Sequence, residues 1–523
     1  MAALPLAALT ACARPSSLAG PPRAAGVFAN PVIAGDHPDP SVIRVGREYW
    51  ATATSSQWGP PFPLLRSRDL VSWEVVGSVL ARPPAWSNGS YWAPEIAAHD
   101  GRYFVYYTAR RRDGPLCVAV ATAARPGGPY RDHGPMVCQE VGSIDAVPVS
   151  DENGERWLVW KEDGNSRQRP TPLWAQRLDA SGTRLAGEAV ELFRNDQPWE
   201  GALVEGPFLL RRGGFFYMFY SGNACCGRAC NYALGVARAR KLLGPWEKNP
   251  ANPILRGNER WKCPGHGSIV TGASGGEYLL YHAYDPEDFV YVGRQALLDR
   301  IEWGTDGWPA INGGAGPTTR SALPSGARAQ PPPSAFEDEF RDRPQPGWQW
   351  PQAAEPVVRL DTADGGWLVL SPPSARAADS IGAVLGRSTT SGHYAAVTRV
   401  SVAGLASGAS AGLSAYGNEA NAVGLSVRDG RAYVWRRVKG QHAEDAGVPL
   451  PPGASVYLRV VAREGHRFRF AVSADGRGWT DVGGEVGGEH LPPWDLAVRI
   501  ALTAGGAAGA AGRFDFLRVE PAP

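Results

Sequence analysis

The sequence predicts an all-β protein in which a five-bladed β-propeller is followed by a two-sheet β-sandwich. The composition is the first reason, since 19 Trp, 17 Tyr, 64 Gly and 46 Pro suit many short strands joined by tight turns. The second is a repeat over the first 310 residues, and the third is a change of pattern after it. A chain of 523 residues is also long enough to require two domains.

Each repeat has a charged or aromatic residue, a short apolar strand, a polar turn and an aromatic-rich strand. The aromatic strands begin at residues 49, 103, 157, 217 and 278, which gives a period of about 54 to 61 residues, in or slightly above the range of propeller blades. Four strands per repeat fit this spacing. In a closed ring of such sheets the innermost strands begin near one end of a central channel. The residues that open these strands are therefore expected to share one cavity, namely Asp39, Trp92, Asp145, Glu205 and His266.

A sandwich of parallel modules is the alternative, but it would bury hydrophobic residues at the strand starts. We assign residues 27–312 to the propeller and residues 313–334, rich in Gly, Pro and Ser, to a linker. Residues 335–523 show strict alternation instead, as in Val456–Ala462. Alternation leaves one face buried and one wet, which predicts the sandwich.

The N-terminal residues 1–26 are interpreted as a truncated lipoprotein signal and tether. They begin with an uncharged apolar stretch, and Leu9-Thr10-Ala11-Cys12 resembles a bacterial lipobox. Cys12 would then carry a lipid, and the protein would be exported, either anchored to the cell envelope or secreted. The stretch is short and lacks a basic start, so an ordinary disordered terminus is the alternative.

The remaining six cysteines are an even number, which in an exported chain favours disulfides. Cys117 with Cys138 is one expected pair. The cluster of Cys225, Cys226 and Cys230 offers a metal site as an alternative, but it lacks the paired spacing of zinc ligands. The charge balance, 53 Lys plus Arg against 51 Asp plus Glu, gives no case for a nucleic-acid or acidic-membrane partner.

Three of the converging residues are carboxylates, which is the chemistry of glycoside hydrolysis. One carboxylic acid protonates the leaving oxygen, and one carboxylate activates water or attacks the sugar. A third carboxylate can keep the pKa of the acid high by like-charge repulsion. For each residue taken singly there is an alternative: Asp39 caps a turn, Asp145 caps a strand, and Glu205 is a solvated loop acid. Their placement at equivalent positions of three repeats favours catalysis.

Residues 27–312 resemble glycoside hydrolase family 43, the inverting arabinofuranosidases, xylosidases and arabinanases with a five-bladed propeller. The resemblance rests on the motifs Asn30–Ser41, Tyr91–Glu95, Gly142–Asp145, Val204–Phe208 and Pro264–Gly267. It implies that Asp39 is the general base, that Glu205 is the general acid, and that Asp145 tunes and orients Glu205. Asp36 and His37 depart from the family pattern, which weakens the substrate assignment.

The resemblance also implies roles for three further residues. His266 is similar to a family histidine that helps to hold a calcium ion or its water in the channel, and a satisfied core histidine is the alternative. Arg294 resembles a family arginine that contacts the sugar and the acid, and the alternative is an arginine on the protein surface. Trp92 would supply an apolar platform for the sugar, against a core tryptophan.

Through the motifs Phe336–Phe340, Gly347–Trp350 and Ser473–Trp479, the C-terminal half resembles the concanavalin-like sandwich of family xylosidases and arabinofuranosidases. In relatives that domain packs on the propeller and narrows the pocket. We therefore expect an exo-acting α-L-arabinofuranosidase or β-xylosidase that acts on arabinan, arabinoxylan or xylan. An endo-arabinanase would need an open groove. A lectin-like protein would have no use for a third carboxylate.

Overall fold

Five four-stranded antiparallel sheets are arranged around a central channel in the computed structural model, which describes residues 26–328, 335–362, 365–492 and 494–522. The innermost strand of each sheet packs against that of the next blade, and the fifth packs against the first. The ring is thereby closed, and the predicted five-bladed propeller is confirmed. In chain order the innermost strands are Ser41–Val45, Trp92–His99, Ser143–Ser150, Val204–Arg212 and Lys262–Thr271.

The outer strands follow in sequence order within each blade. Those of the first two blades are Glu48–Thr52, Pro63–Ser67, Trp73–Ser78, Arg102–Arg110, Leu116–Ala123 and Arg131–Val137. Those of the third are Arg156–Glu162, Leu173–Leu178 and Leu185–Phe193, and those of the last two are Phe215–Gly222, Ala233–Ala239, Glu247–Lys248, Glu277–Tyr284, Gln295–Trp303 and Pro309–Ile311.

The aromatic second strand of each blade lies in the middle of the ring wall, which explains why it lacks alternation. In the second blade Val105 and Tyr107 pack towards the first blade, whereas Phe104 and Tyr106 pack towards the third. Both faces of the strand are therefore dry. Burial of aromatic and aliphatic side chains between neighbouring blades is the main source of stability of the ring.

The N-terminal segment joins the two ends of the ring. Ile33 bridges Ala296 of the fifth blade, and the side chain of Asn30 exchanges hydrogen bonds with the backbone of Leu298. A short strand, Val27–Ala29, also pairs with Arg320–Ala322. The repeat pattern did not predict this closure, because the segment precedes the first repeat.

The C-terminal half is the predicted sandwich, made of a nine-stranded and a seven-stranded sheet. Its core is aliphatic, because inward-facing residues alternate with exposed ones, as along Ser455–Arg463. The larger sheet contains Phe336–Asp338, Val357–Asp361, Trp367–Ser371, Tyr394–Ser401, Ser455–Arg463, Arg467–Ser473, Thr480–Asp481, Val486–Gly487 and Gly512–Pro521. The smaller contains Ala383–Ser388, Ser410–Asn418, Asn421–Arg428, Arg431–Val438, Gln441–Glu444, Val448–Pro449 and Arg499–Gly505.

The sandwich pairs with the propeller directly, since Trp350–Pro351 forms a two-stranded sheet with Trp58–Gly59. The helices of the described residues are single turns, at Gly164–Arg167, Pro198–Glu200, Phe289–Val292, Asn312–Gly314 and Ser374–Arg376. Across the described part of the chain, none of these has the length and hydrophobicity of a membrane-spanning segment. The predicted lipid-bearing Cys12 lies outside the described residues.

Candidate active site

A left-handed backbone residue near the start of the innermost strand recurs in every blade. Outside glycine such a conformation costs on the order of 1–3 kcal/mol and gathers at functional sites. In blades two to five the strand pairing also shifts register at this point, and such bulges re-aim side chains. The residues, with φ in parentheses, are Asp39 (51°), Ala93 (43°), Asp145 (58°), Gly206 (56°) and His266 (41°).

This register corrects the expected equivalence of the three carboxylates. Asp39 and Asp145 occupy the left-handed position itself, but Glu205 stands one residue earlier, where the second blade has Trp92. Glycine follows Glu205 for a steric reason, because a Cβ atom on Gly206 would lie 2.8 Å from Cγ of His266. The Glu205 side chain therefore enters the cavity from a different position in the bulge than the side chains of Asp39 and Asp145.

The backbone N–H of the left-handed residue is satisfied by a side chain, usually from the second strand of the preceding blade. Four blade junctions use a Thr, Ser or His acceptor of this kind. The pairs are Ala93 N to Thr54 Oγ1 (2.7 Å), Asp145 N to Thr108 Oγ1 (3.2 Å), His266 N to Ser221 Oγ (2.9 Å) and Asp39 N to His282 Nδ1 (3.1 Å). At the fifth junction Gly206 N donates to Asp145 Oδ2 at 2.9 Å.

Asp39 is buried and held ionised by its neighbours. Arg294 donates Nη1–H to Asp39 Oδ1 at 3.0 Å, and Thr54 donates its hydroxyl to Oδ2 at 2.6 Å. Burial alone would raise the pKa of Asp39, but the charge of Arg294, with smaller contributions from His266 and His282, outweighs burial and holds that pKa well below its ordinary value. An ionised carboxylate is the state that a general base needs.

Glu205 is also buried, and both its carboxyl oxygens have donors. Lys161 donates from Nζ to Oε2 at 2.7 Å, and Tyr232 donates its hydroxyl to Oε1 at 2.9 Å. Burial alone would raise the pKa of Glu205, but Lys161, with smaller contributions from His266 and Tyr232, lowers it below the ordinary value. At Asp145 burial dominates, and with the charge of Glu205 it raises the pKa to about 7.

The raised pKa was predicted for Glu205, whereas in the structure the pKa of Asp145 is raised instead. The reason is Lys161, a buried cation that sequence reasoning missed. Its only sequence signal is a charged residue within the aromatic strand Arg156–Glu162. Asp145 and Glu205 interact closely, so they titrate as a pair and the proton belongs to the pair.

His266 and Arg294 both face Asp39. Nδ1 of His266 lies 3.5 Å from Asp39 Oδ1 and 4.0 Å from Asp145 Oδ2. Arg294 is 4% exposed, so the alternative of a surface arginine is wrong. Its ion pair is with Asp39, the predicted base, and not with Glu205, the predicted acid.

The calcium predicted beside His266 finds little support in the donor set. Among the described residues, no group of three or more His, Cys, Asp and Glu side chains is arranged to hold a metal, and Arg294 already occupies Asp39 Oδ1. Ca²⁺ takes six to eight oxygen ligands, and these side chains do not supply them. Calcium at His266 stays a prediction.

The chain matches two models of known protein families. The model of glycosyl hydrolases family 43 matches residues 28–309, which is more than half of the chain. The chain belongs to glycoside hydrolase family 43. A second model, the concanavalin A-like C-terminal domain of β-xylosidases, matches residues 337–493.

The similar proteins are pentosidases by name. A xylosidase/arabinosidase 43B of Humicola insolens is 30% identical over 320 residues, which cover 57% of this chain and 57% of the relative. An extracellular exo-α-(1→5)-L-arabinofuranosidase of Cellvibrio japonicus, ArbA, is 25% identical over 313 residues, covering 52% of this chain and 86% of the relative. The crystal structure of the family 43 protein BlXynB from Bacillus licheniformis is 23% identical with a TM-score of 0.82, covering 95% of this chain and all of that one.

The sandwich of this family 43 protein reaches the rim of the pocket. Trp92 is half-buried, and its indole N–H donates to Asp495 Oδ2 at 3.1 Å. Ser56 donates to the same oxygen at 3.1 Å. The ring of Trp494, 60% exposed, stands edge-on to Trp92 with centroids 6.3 Å apart. Sequence reasoning missed Trp494 and Asp495, since no repeat connects them to the ring.

Asp36 contacts residues of both domains next to Arg294. Its Oδ1 accepts from the backbone N–H of Arg294 at 3.3 Å, and its Oδ2 accepts from Arg499 of the sandwich at 3.0 Å. Arg499 is 1% exposed and also donates to Gln349. Asp36 departs from the family motif at a position where this chain uses it as an anchor for the sandwich.

The six described cysteines form three disulfides. Cys117–Cys138 is the expected pair, and the other bonds are Cys225–Cys226 and Cys230–Cys263. The metal-site alternative for the Cys225 cluster is therefore wrong. The loop that these bonds constrain reaches the sandwich, because Gly227 lies against Trp494.

Proposed function

We propose that the protein is an inverting, exo-acting glycoside hydrolase that releases pentose units from plant cell-wall polysaccharide. The activity is that of an α-L-arabinofuranosidase, a β-xylosidase or both. The observation that carries this proposal is the arrangement of three buried carboxylates around one channel mouth. Asp39 is held ionised by Arg294, while Asp145 and Glu205 form a coupled pair that can hold a proton.

The proposed reaction is a single displacement. Asp39 removes a proton from water, and the water oxygen forms a bond to the anomeric carbon. Glu205 gives its proton to the glycosidic oxygen as the bond from that oxygen to the anomeric carbon breaks. Attack from the face opposite to the leaving group inverts the anomeric configuration. Asp39 then holds one proton and Glu205 is ionised, and exchange with solvent restores both.

The coupled pair supplies the proton that the acid needs. Two buried carboxylates close together do not both ionise readily, because each charge disfavours the other. Burial, with a smaller contribution from the charge of Glu205, raises the pKa of Asp145 to about 7, so the pair can hold a proton near neutral pH. Asp145 also fixes the bulge of Glu205 by accepting from Gly206 N, which supports its role in orienting the acid.

Exo action is supported by the sandwich loop at the rim. Trp494 and Asp495 stand against Trp92, so one side of the pocket mouth is lined by the second domain. An endo-arabinanase would need an open groove there. The names of the relatives, xylosidase/arabinosidase and exo-arabinofuranosidase, support pentose release, and we propose arabinan, arabinoxylan and xylan as substrates.

Hydrolysis of nitrophenyl α-L-arabinofuranoside and nitrophenyl β-D-xylopyranoside by the purified protein tests the activity. Proton NMR of the first-formed product tests the mechanism. We expect the β anomer from the α-arabinofuranoside before mutarotation. Retention would contradict the water-activating role of Asp39, and absence of turnover on pentosides of either kind would contradict the proposed function.

We also propose that the protein is exported and anchored by a lipid on Cys12. The supporting observations are the lipobox-like sequence before Cys12 and the extracellular relative. In the native host the protein should partition into detergent, and Cys12→Ser should release it. Equal partitioning of the two forms would contradict the anchor.

A further inference from the structure

Lys161 interrupts the pattern of side chains that joins the blades. In the strand pairing it occupies the position that Thr108, Ser221 and His282 occupy in three other blades. The register pairs are Trp92 with Thr108, Glu205 with Ser221, Gly265 with His282, and Ile144 with Lys161. Each of the other three accepts a hydrogen bond from the backbone of the next blade. An ammonium group has only donors, so Lys161 cannot do this.

The hydrogen bond that Lys161 cannot accept is accepted by Asp145. Gly206 N, which would be its partner, donates to Asp145 Oδ2 instead. A Thr or Ser at position 161 would serve the ring as well as Thr108 and Ser221 do elsewhere. The architecture of the propeller therefore gives no reason for a lysine at this position.

The Lys161 side chain is directed at the acid instead. It is 1% exposed, with Nζ 2.7 Å from Glu205 Oε2 and 3.0 Å from Asp163 Oδ1. Burying an ammonium group is unfavourable unless it is closely paired, and these two carboxylates provide the pairing. With the Tyr232 hydroxyl on Oε1, Lys161 fixes the plane of the Glu205 carboxyl group from a second blade.

We propose that Lys161 is a positioning residue that fixes the carboxyl group of Glu205 and sets the pH range in which this group delivers its proton. The inference rests on the proposed hydrolytic function for its meaning. The ammonium group of Lys161 favours the ionised form of Glu205 and so lowers its pKa, and Asp163, which shares the ammonium group, weakens that effect. The charged and titratable groups that face Glu205 are Lys161, Asp163, Asp145, Tyr232 and His266.

The pH profile of kcat/KM on a pentoside with a poor leaving group tests the proposal. For Lys161→Met we expect the basic limb to move up by about one unit or more, with a loss of about tenfold or more at the wild-type optimum because the acid is misplaced. Lys161→Thr, which restores the acceptor used by the other blades, should show the same shift. Asp163→Asn should move the limb down by a smaller amount.

Lys248→Met is a matched control. Lys248 is likewise a lysine with a largely covered side chain, 8% exposed, but it pairs with Glu200 and Asp196 instead of Glu205. It should lower the melting temperature without moving the basic limb. If Lys161→Met and Lys161→Thr behave like this control, Lys161 is only structural and the inference is wrong.

A titration that needs no turnover separates this inference from the proposed function. Carbon-13 NMR of protein labelled at glutamate carboxyl groups, with Glu205→Gln assigning the signal, reports the Glu205 pKa directly. We expect a higher pKa in Lys161→Met than in the wild type. An unchanged pKa would overturn the inference even in an active enzyme, whereas an inactive wild type would overturn only the proposed hydrolysis.

Discussion

The inner ring of the propeller and the sandwich loop meet at one pocket, but they are built differently. The carboxylates of the ring are buried, and Asp39 and Glu205 have donors on both oxygens. The loop instead presents Trp494, which is 60% exposed, and Asp495, which accepts hydrogen bonds from Trp92 and Ser56. Preorganised groups suit chemistry, whereas an exposed rim suits recognition. We therefore expect the ring to govern turnover and the loop to govern affinity.

The largest effect is expected when the ring loses either carboxyl group that we propose as general acid or base. Glu205→Gln and Asp39→Asn keep the side-chain shape but cannot transfer the proton, so kcat should fall by about 10²–10⁴-fold. Glu205→Gln should regain much of its rate on dinitrophenyl pentosides, whose leaving group needs little protonation, and Asp39→Asn should not. Equal responses of the two variants would contradict the assignment of acid and base, and unchanged thermal unfolding is the control.

A smaller effect is expected when the ring loses the charge that keeps its base ionised. Arg294→Met should raise the pKa of Asp39, because the positive charge that most strongly opposes the effect of burial is then removed. Because Asp39 works only when ionised, the acidic limb of kcat/KM should move to higher pH, and activity should recover as the pH rises. We expect a loss of about 10²-fold at pH 5, within the range of acid–base effects.

Arg300→Met is the matched control for this variant. Arg300 is an exposed residue on the same strand, Gln295–Trp303, so its removal should leave the pH profile unchanged. An acidic limb that stays in place in Arg294→Met would show that another group keeps Asp39 ionised.

The smallest effect is expected at the rim. Trp494→Ala and Asp495→Asn should raise KM by about three- to tenfold, the equivalent of one aromatic contact or one hydrogen bond of about 0.5–1.5 kcal/mol, and should change kcat by less than about twofold. Initial rates on xylobiose and on an arabinan trisaccharide measure both constants. A fall in kcat comparable to that of Glu205→Gln would erase the proposed division between ring and loop.

The sequence was sufficient for the ring because its repeat is both structural and functional. The same period that predicts five blades also brings Asp39, Asp145 and Glu205 to one channel. It did not predict the one-residue offset of Glu205, since a bulge changes register without changing the strand pattern. It also left Lys161 unnoticed, because a lysine at the end of a strand usually faces solvent.

The loop could not be predicted for a different reason. Trp494 and Asp495 come more than 400 residues after Trp92 and Ser56, and they follow no period that connects the two domains. Their positions depend on how the sandwich sits on the propeller. The sequence indicated something unusual only at Asp36, which departs from the motif of family xylosidases. That departure does not identify Arg499 as the partner of Asp36.

The carboxylate of Asp36 links the two domains close to Asp39. It accepts from the backbone of Arg294 with one oxygen and from Arg499 with the other. A propeller produced without the sandwich would lose Arg499, so Asp36 would keep only its bond with Arg294, the residue that donates to Asp39. Grafting the propeller alone onto another protein should therefore leave Arg294 less firmly held and Asp39 with a weaker partner.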